Sequence, residues 1–454
     1  MSGWTAARVA SALGVSGAAE TTFTAVATDT RTMPPGALFV ALAGERYDAH
    51  AFLDEARRRG ARGAVVRRGT PAIEGLATFE VSDTLEALGL LARARRREIT
   101  GPVVAVTGTN GKTSTKEMLA CALGARWRVH ATRRNLNNLV GVPLTILDAP
   151  ANATALVVEA GASVPGEIAR LRDIIEPTAA VVTNVSAGHV EGFGGMDGVL
   201  AEKAALAEGA PLAVVGTQPP ALADRVRTLA RRTVVAGLGP PADVVPDRWA
   251  VAPDGCGELV FRGRHVRLPL VGAHQVDNAV LALAVAEALD VDLDAATAAL
   301  RDVTLPPGRC QVLDRGRLRV LYDAYNANPA SVEAALATAR AMLGGRRLVV
   351  ALGTMRELGD ESAALHERVA RTVLEARPAL VAVVGAFAAA FAPHAAALGD
   401  RLLVAPDPDT LGRELAARLD GTELVLLKAS RGVRFERALP HLLPDTPIPC
   451  STTS

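Results

Sequence analysis

From Val103 onward the chain alternates short apolar runs with longer mixed stretches. PVVAVTG is followed by a stretch starting at Lys112, ALVVEAG by one near Ile168, and AAVVTNV by one around Glu202. Apolar runs of this length read as buried strands and the stretches between them as helices, so the rhythm predicts a parallel sheet covered by helices. A second series opens after Pro306-Pro307-Gly308, with LRVLYDAY, a helix after Pro329, RRLVVALG, a helix around His366, ALVAVVG and ELVLLK. This predicts a second doubly wound, Rossmann-like unit. Residues 1–100 form a smaller mixed region with its own strands (ALFVAL, GAVV), closed by Thr100-Gly101-Pro102. The expected fold class is α/β in three domains: a small mixed N-terminal domain over 1–100, a central P-loop-type parallel sheet with helices over 101–305, and a Rossmann-like domain over 306–454.

Two finer patterns interrupt this rhythm. Between Asp247 and Leu270 the short runs RWAVAP, GELVFRG and HVRLPL are broken by Gly and Pro and predict antiparallel strands at the end of the central domain. The alanine-rich AFAAAFAPHAAALG predicts packed helix, given the helical propensity of alanine and the strands on either side.

Composition narrows the function classes. With 454 residues, 49% of them hydrophobic and 21% charged, the chain is too apolar to be disordered. The formal net charge is +1 and the basic residues are scattered, which gives an extended nucleic-acid surface no support and favours small anionic ligands. Cys121, Cys256, Cys310 and Cys450 lie far apart without CxxC spacing, against a disulfide framework or structural zinc. No signal-like N-terminus and no run of about 18 apolar residues is present, so a cytoplasmic location without a membrane span is expected. Nothing resembles a coiled-coil heptad or an exposed apolar helix, and a monomer is expected.

The strongest chemical signal is Val104-Ala-Val-Thr-Gly-Thr-Asn-Gly-Lys-Thr-Ser-Thr115, a buried strand running into a glycine-rich turn and then a helix. Gly108 and Gly111 free the backbone amides to wrap phosphates, Lys112 supplies a point charge for the β- and γ-phosphates, and Thr113 offers a hydroxyl to Mg2+. Thr109, Asn110 and Ser114 complete this candidate ATP site. Val106 stands where the general P-loop has its first glycine, so the segment is the shorter TGTNGKTS form.

That form resembles the Mur ligases and their relatives the folylpolyglutamate synthases, and the resemblance runs through nearly the whole chain. It continues in NLNNLVGVP (135–143), VEAGA (158–162), TNVSAGHVEGFG (183–194), DAYNANP (323–329) and LKASR (427–431). Thr28-Asp29-Thr30-Arg31, followed by ALFVALAGERYDAHAF, resembles the UDP-sugar-binding domain of the members that add the third amino acid and the terminal dipeptide. DAYNANP, EAGASVPGEI, NLNNLVGVP and GTMRELG are most similar to the branch adding D-alanyl-D-alanine, with Thr354 and Ala429 as small departures. A glutamate-adding or cyanophycin-type ligase is disfavoured by the TDTR and GERYDAH segments. A non-catalytic scaffold is disfavoured by the intact Lys112, Thr113, Glu159, His189 and Lys203.

The resemblance implies ATP and Mg2+ as cofactors, and UDP-N-acetylmuramoyl-tripeptide and D-Ala-D-Ala as small-molecule substrates joined through an acyl phosphate. Glu159, at the C-terminal end of a parallel strand, is the natural carboxylate for Mg2+. His189, in a Gly-flanked loop, is a candidate for positioning a second metal or the acyl phosphate. Alone, Lys203 reads as a solvated surface residue; the family implies that it is carbamylated and holds metal as an anion. The expected catalytic set is therefore Lys112, Glu159, His189 and Lys203, with Thr113, Glu159, His189 and carbamylated Lys203 as metal ligands. Asn278 is implied on the adenine side, with Gln275 where relatives carry Asn. Arg309 is implied at the nucleotide phosphates, Asp323 at the ribose, and Asn326 and Asn328 at the nucleotide. Thr28, Asp29, Thr30, Arg31, Asn137 and Asn138 are implied at the UDP substrate.

Overall fold

A computed structural model describes residues 3–16, 20–44, 47–187 and 190–444. His189, Cys450 and the Glu45-Arg46 pair of the GERYDAH segment lie outside the described residues.

The central sheet has six parallel strands in the spatial order 129–131, 155–159, 103–107, 179–182, 212–215, 233–235. Its inner strands Ala155–Glu159, Val103–Thr107 and Ala179–Val182 are buried at every position, because helices cover both faces. This is why the sequence shows continuous apolar runs there and no alternation. Successive side chains still diverge: Val103 and Ala105 pack with Val158, Ile168 and Leu171, while Val104 and Val106 pack with Met118, Leu119 and Val280 on the other face. The chain leaves the Val103–Thr107 strand, forms the two strands on one side of it, and then crosses to the other side. The strand order therefore reverses at that strand, and a crevice opens beyond its C-terminal end.

Antiparallel strands Arg248–Val251, Cys256–Phe261 and Arg264–Val271 follow, as the broken runs predicted, and lead into the helix Ala273–Ala288. That helix is buried on nearly all sides and packs on the helix Lys112–Gly124. The C-terminal sheet runs 311–315, 318–323, 424–428, 348–352, 380–383, 402–404, parallel except for its first strand. The alanine-rich segment departs from a single helix. It forms Ala386–Phe391, a tight turn over Ala392–His394 and a last turn at Ala395–Leu398, because Pro393 has no N–H to continue the ladder.

In the N-terminal region four parallel strands, 26–27, 38–40, 63–67 and 77–81, pack against the helix Thr84–Arg96, whose first turn is capped by the Asp83 carboxylate. The far end of this helix docks on the central region through Glu176. Arg93 Nε and Arg97 Nη2 donate to its carboxylate at 2.7 and 2.6 Å, and Arg96 Nη2 donates to its carbonyl at 2.6 Å. The Arg97 hydrogen bond leads the causes that pull the Glu176 carboxyl down to about 2.

Candidate active site

The glycine turn 108–111 sits in the crevice at the end of the Val103–Thr107 strand. Gly108 has φ +139° and Gly111 φ +81°, and each is closely covered. A Cβ at Gly108 would lie 2.0 Å from Thr183 Oγ1, and one at Gly111 would lie 2.4 Å from Asn278 Oδ1. The neighbouring strand end braces the loop: Asn184 Oδ1 accepts from the Asn110 amide at 3.1 Å, Asn184 Nδ2 donates to the Asn110 carbonyl at 3.1 Å, and Asn184 O accepts from the Thr109 amide at 2.8 Å. Lys112 folds back over the turn and donates to the Gly108 and Thr109 carbonyls at 2.8 and 3.1 Å. Burial lowers its pKa; Glu159 opposes this and Arg309 adds to it.

Glu159 is 3% exposed at the end of the adjacent strand. Its Oε2 accepts from Thr113 Oγ1 at 2.8 Å and its Oε1 from Asn137 Nδ2 at 2.9 Å, so a hydroxyl of the phosphate-loop helix and a carboxylate converge from two elements. Asn138 Oδ1 accepts from the Gly141 amide at 2.8 Å where the helix Gly141–Leu147 begins. Lys203 is 2% exposed, with Nζ 5.4 Å from the centre of the Phe193 ring. Burial first, and then Lys112, brings its pKa down to about 7. The preceding Glu202 accepts from the Gly166 and Ile168 amides at 2.8 and 2.7 Å, anchoring the lysine's helix to the start of Glu167–Ile175.

The C-terminal region supplies the opposite wall. Asp323 Oδ2 accepts from Lys428 Nζ at 2.7 Å and Oδ1 from the Cys310 amide at 3.1 Å. The Arg309 guanidinium stacks 3.8 Å from the centre of the Tyr325 ring, with its Nε buried and unpartnered, and Arg431 approaches the same ring at 5.3 Å. Together these groups enclose a cavity of about 600 Å³.

Family models match two long segments: the Mur ligase middle domain over residues 106–286, and the Mur ligase glutamate ligase domain over 308–431. The chain is 32% identical to the UDP-N-acetylmuramoyl-tripeptide--D-alanyl-D-alanine ligase of Bacillus subtilis (strain 168), over 94% of this chain and 95% of that protein. The chain belongs to the Mur ligase family. It is also 38% identical to the Escherichia coli (strain K12) protein of the same name, over 77% of this chain and 79% of that one. Among solved structures it superposes on MurF from Acinetobacter baumannii with a TM-score of 0.87 at 29% identity, covering 98% of this chain and 100% of that one. MurF of Thermotoga maritima in complex with ADP gives 0.80 at 30% identity, covering 92% and 96%.

Of the residues expected at this Mur ligase's site, Thr109–Ser114, Asn137, Asn138, Glu159, Lys203, Asn278, Arg309, Asp323 and Asn326 all line the one cavity. Gly108 opens the turn, covered by Thr183 and Asn184, and Asn328 reaches the loop through the Asn110 side chain. Thr28–Arg31 do not line the cavity. They form a turn in which Arg31 is clamped on the Asp29 carboxylate at 2.7 Å, with the Arg31 side chain 80% exposed. Sequence reasoning passed over the bracing role of Asn184, the Lys428–Asp323 pair and Tyr325, although each lies inside a quoted motif.

The cavity's groups suit a nucleotide triphosphate and Mg2+. Glycines whose Cβ would collide leave only backbone around the loop, and the orphaned Arg309 Nε is a donor without an acceptor. Glu159 and Thr113 offer hard oxygen ligands, the kind Mg2+ takes alongside phosphate oxygens and water. Among the described residues no group of three or more His, Cys, Asp or Glu is placed to hold a metal by itself.

Proposed function

We propose that this Mur ligase joins D-alanyl-D-alanine to UDP-N-acetylmuramoyl-tripeptide, consuming ATP and giving the UDP-N-acetylmuramoyl-pentapeptide, ADP and phosphate. One observation carries the reading: the glycine loop, the Thr113–Glu159 pair and buried Lys203 share one cavity with Arg309, Asp323 and Lys428 from the C-terminal sheet. A phosphoryl donor and an acceptor carboxylate therefore meet between two units. Kinship over nearly the full chain with ligases named for this reaction supports the choice of substrates.

The tripeptide's terminal carboxylate attacks the γ-phosphorus, ADP departs, and the neutral amine of D-Ala-D-Ala then attacks the acyl carbon and expels phosphate. The backbone amides of Gly108, Gly111 and Lys112 hold the phosphates, those of Thr109 and Asn110 being taken by Asn184. Lys112 exchanges the Gly108 and Thr109 carbonyls for phosphate oxygens as charge moves between nucleotide and acyl group. Arg309, pre-stacked on Tyr325, brings its spare donor to the same anion. Thr113 and Glu159 would hold Mg2+, with Lys203 as its carbamate and His189 completing the ligands; bound metal neutralises the two anions that must approach each other. Asn137 keeps Glu159 oriented. Holding the reactants in register supplies much of the acceleration.

The same reading divides the chain into domains at 1–100, 101–305 and 306–454, supported by three separate sheets whose strands are parallel but for the first of the C-terminal one, with Thr28–Arg31 on the UDP side. Among the described residues no helix is long and apolar enough to cross a membrane. A working monomer in the cytoplasm belongs to the same reading.

The test is phosphate release from ATP and Mg2+ with UDP-muramoyl-tripeptide, with and without D-Ala-D-Ala, followed by mass detection of the product. Dipeptide-dependent release with the pentapeptide mass is expected. Turnover with another amine and none with D-Ala-D-Ala would move the protein to a sister ligase.

A further inference from the structure

The cavity extends along the sheet to one side of the phosphate loop, and a carboxylate waits there. Glu159, the metal-side group, ends the strand on one flank of Val103–Thr107, so a nucleotide whose phosphates fill the loop runs its nucleoside toward the other flank, over strands 179–182 and 212–215. On that side lie Thr217, Gln218 and the first turns of the helix Ala273–Ala288. Asn278, the residue the family resemblance assigns to the adenine side, has its amide engaged within the chain. Its Oδ1 accepts from Thr115 Oγ1 at 3.2 Å and its Nδ2 donates to Gln275 Oε1 at 3.1 Å. One residue earlier, Asp277 also lines the cavity, and its carboxylate accepts no hydrogen bond from a described residue. A Cβ at Gly237 would lie 3.5 Å from Asp277 Oδ1 and 2.8 Å from Thr217 Cγ2, which fixes the carboxylate beside the ends of strands 212–215 and 233–235.

We propose that Asp277 reads the base of the nucleotide, its carboxylate accepting a hydrogen bond from the exocyclic amine of a 6-aminopurine and repelling the carbonyl that a 6-oxopurine presents there. This rests on the reading that the glycine loop holds the nucleotide phosphates. A carboxylate is the right group for the task, since it only accepts, whereas an amide can turn to offer either a donor or an acceptor. Burial alone, with no neighbouring cation or donor, pushes the Asp277 carboxyl up to about 6. An amine from the base offsets that unfavourable burial.

The test compares dissociation constants of ADP, IDP and GDP by titration calorimetry on the full chain and on Asp277→Asn and Asp277→Ser, together with ligase turnover. Wild type is expected to favour ADP over IDP by about tenfold or more, the scale of one hydrogen bond to a charged group. Asp277→Asn is expected to bring the two within about threefold, with IDP binding gained as ADP binding is lost. An unchanged ADP-to-IDP ratio in both variants, an equal weakening of all three nucleotides, or no preference in the wild type overturns the proposal. Absent ligation with D-Ala-D-Ala beside a shifted ratio overturns the ligase reading and leaves the base reading standing.

Discussion

The side-chain amides of Asn110 and Asn328 form a reciprocal pair: Asn110 Nδ2 donates to Asn328 Oδ1 at 3.3 Å, and Asn328 Nδ2 donates to Asn110 Oδ1 at 2.8 Å. Asn110 lies in the phosphate loop. Asn328 is the N-cap of the helix Pro329–Ala341, where its Oδ1 accepts from the Ser331 amide and Ser331 Oγ accepts from the Asn328 amide. One residue thus starts a helix of the C-terminal sheet and steadies the loop of the central one. Asn328→Ala removes both roles and is expected to cost about 1 kcal/mol of stability, the value of an N-cap. Asn328→Ser keeps a capping oxygen but cannot reach Asn110. It should melt like the wild type yet raise KM for ATP by about two- to tenfold, the worth of one net hydrogen bond. Thermal melts beside ATP kinetics separate the two; a serine variant with unchanged KM would show that the pair does not prepare the loop.

Glu159 is held between Thr113 and Asn137, and the two partners should fail differently. Glu159→Gln keeps the shape and removes the charge, so turnover should fall by about a hundredfold or more, the scale on which a fixed electrostatic partner acts. Asn137→Ala leaves the charge and frees its orientation. The Mg2+ concentration for half-maximal rate should rise by about ten- to a hundredfold, as for other groups that orient a metal ligand, while kcat at saturating Mg2+ recovers. Magnesium titrations on both variants check this, and a kcat for Asn137→Ala that does not recover excludes the orienting role.

Lys203 gives a pH prediction with a definite sign. Its folded pKa, about 7, lies below the ordinary 10.5, so the neutral amine, the form that the proposed carbamate requires, predominates above about pH 7 and disappears below it. Activity should rise through that pH and fall in buffer stripped of bicarbonate. Lys203→Ala should be inactive and partly restored by acetate or formate, whereas Lys203→Arg should not be restored. Between about 7 and 10.5 the unfolded chain binds the proton that the folded chain releases, so the stability lost to the buried ammonium is regained as pH rises. Lys203→Met should therefore melt higher than unmodified wild type below pH 7 while remaining inactive. Bicarbonate-independent activity in the wild type would remove the carbamate from the mechanism.

How far the sequence reached follows from the range of each interaction. The strand–turn–helix of 104–115 was legible because its cause is local: an apolar run, two glycines and a lysine in order. Continuous apolar runs announced strands buried on both faces, and the short broken runs after Asp247 announced the antiparallel strands. The Thr113–Glu159 contact, 46 residues apart, depends on which strands become neighbours, and spacing alone does not encode that. Lys203 looks like a surface residue from its own segment and is buried because Phe193 and the Glu202-anchored helix close over it. Asp277 went unnoticed beside a motif asparagine, since which of two adjacent helical residues faces the cavity is set by how the helix packs on Lys112–Gly124. Pro393 was visible in the alanine-rich run, and its break in the helix was predictable from its missing N–H.

His366 lies in the first turns of the helix Ser362–Glu375, behind the C-terminal wall. It is 1% exposed; its Nε2 accepts from the Met355 amide at 3.0 Å and its Nδ1 donates to the Ser362 carbonyl at 2.7 Å, which defines a neutral tautomer. The loop it holds, 353–359, leans on the end of the Lys428 strand: the Gly353 amide donates to the Lys428 carbonyl at 2.9 Å and the Arg356 amide to Ser430 Oγ at 3.0 Å. Burial lowers the His366 pKa below its ordinary 6.5, so the unfolded chain takes up the proton first as pH falls. The stabilisation is complete above about pH 6.5 and is lost as pH drops through the folded value. His366→Ala leaves the Met355 amide without a partner and should cost about 1–3 kcal/mol. His366→Gln offers an oxygen that does not titrate, and it should flatten the dependence of Tm on pH between about 5 and 7. Because the loop borders Lys428 and Ser430, the glutamine variant should also keep more activity at pH 5.5, relative to its own value at pH 8, than wild type does. Melts and turnover across that range decide it: a wild-type Tm as flat as that of His366→Gln would mean the histidine ring is only a spacer.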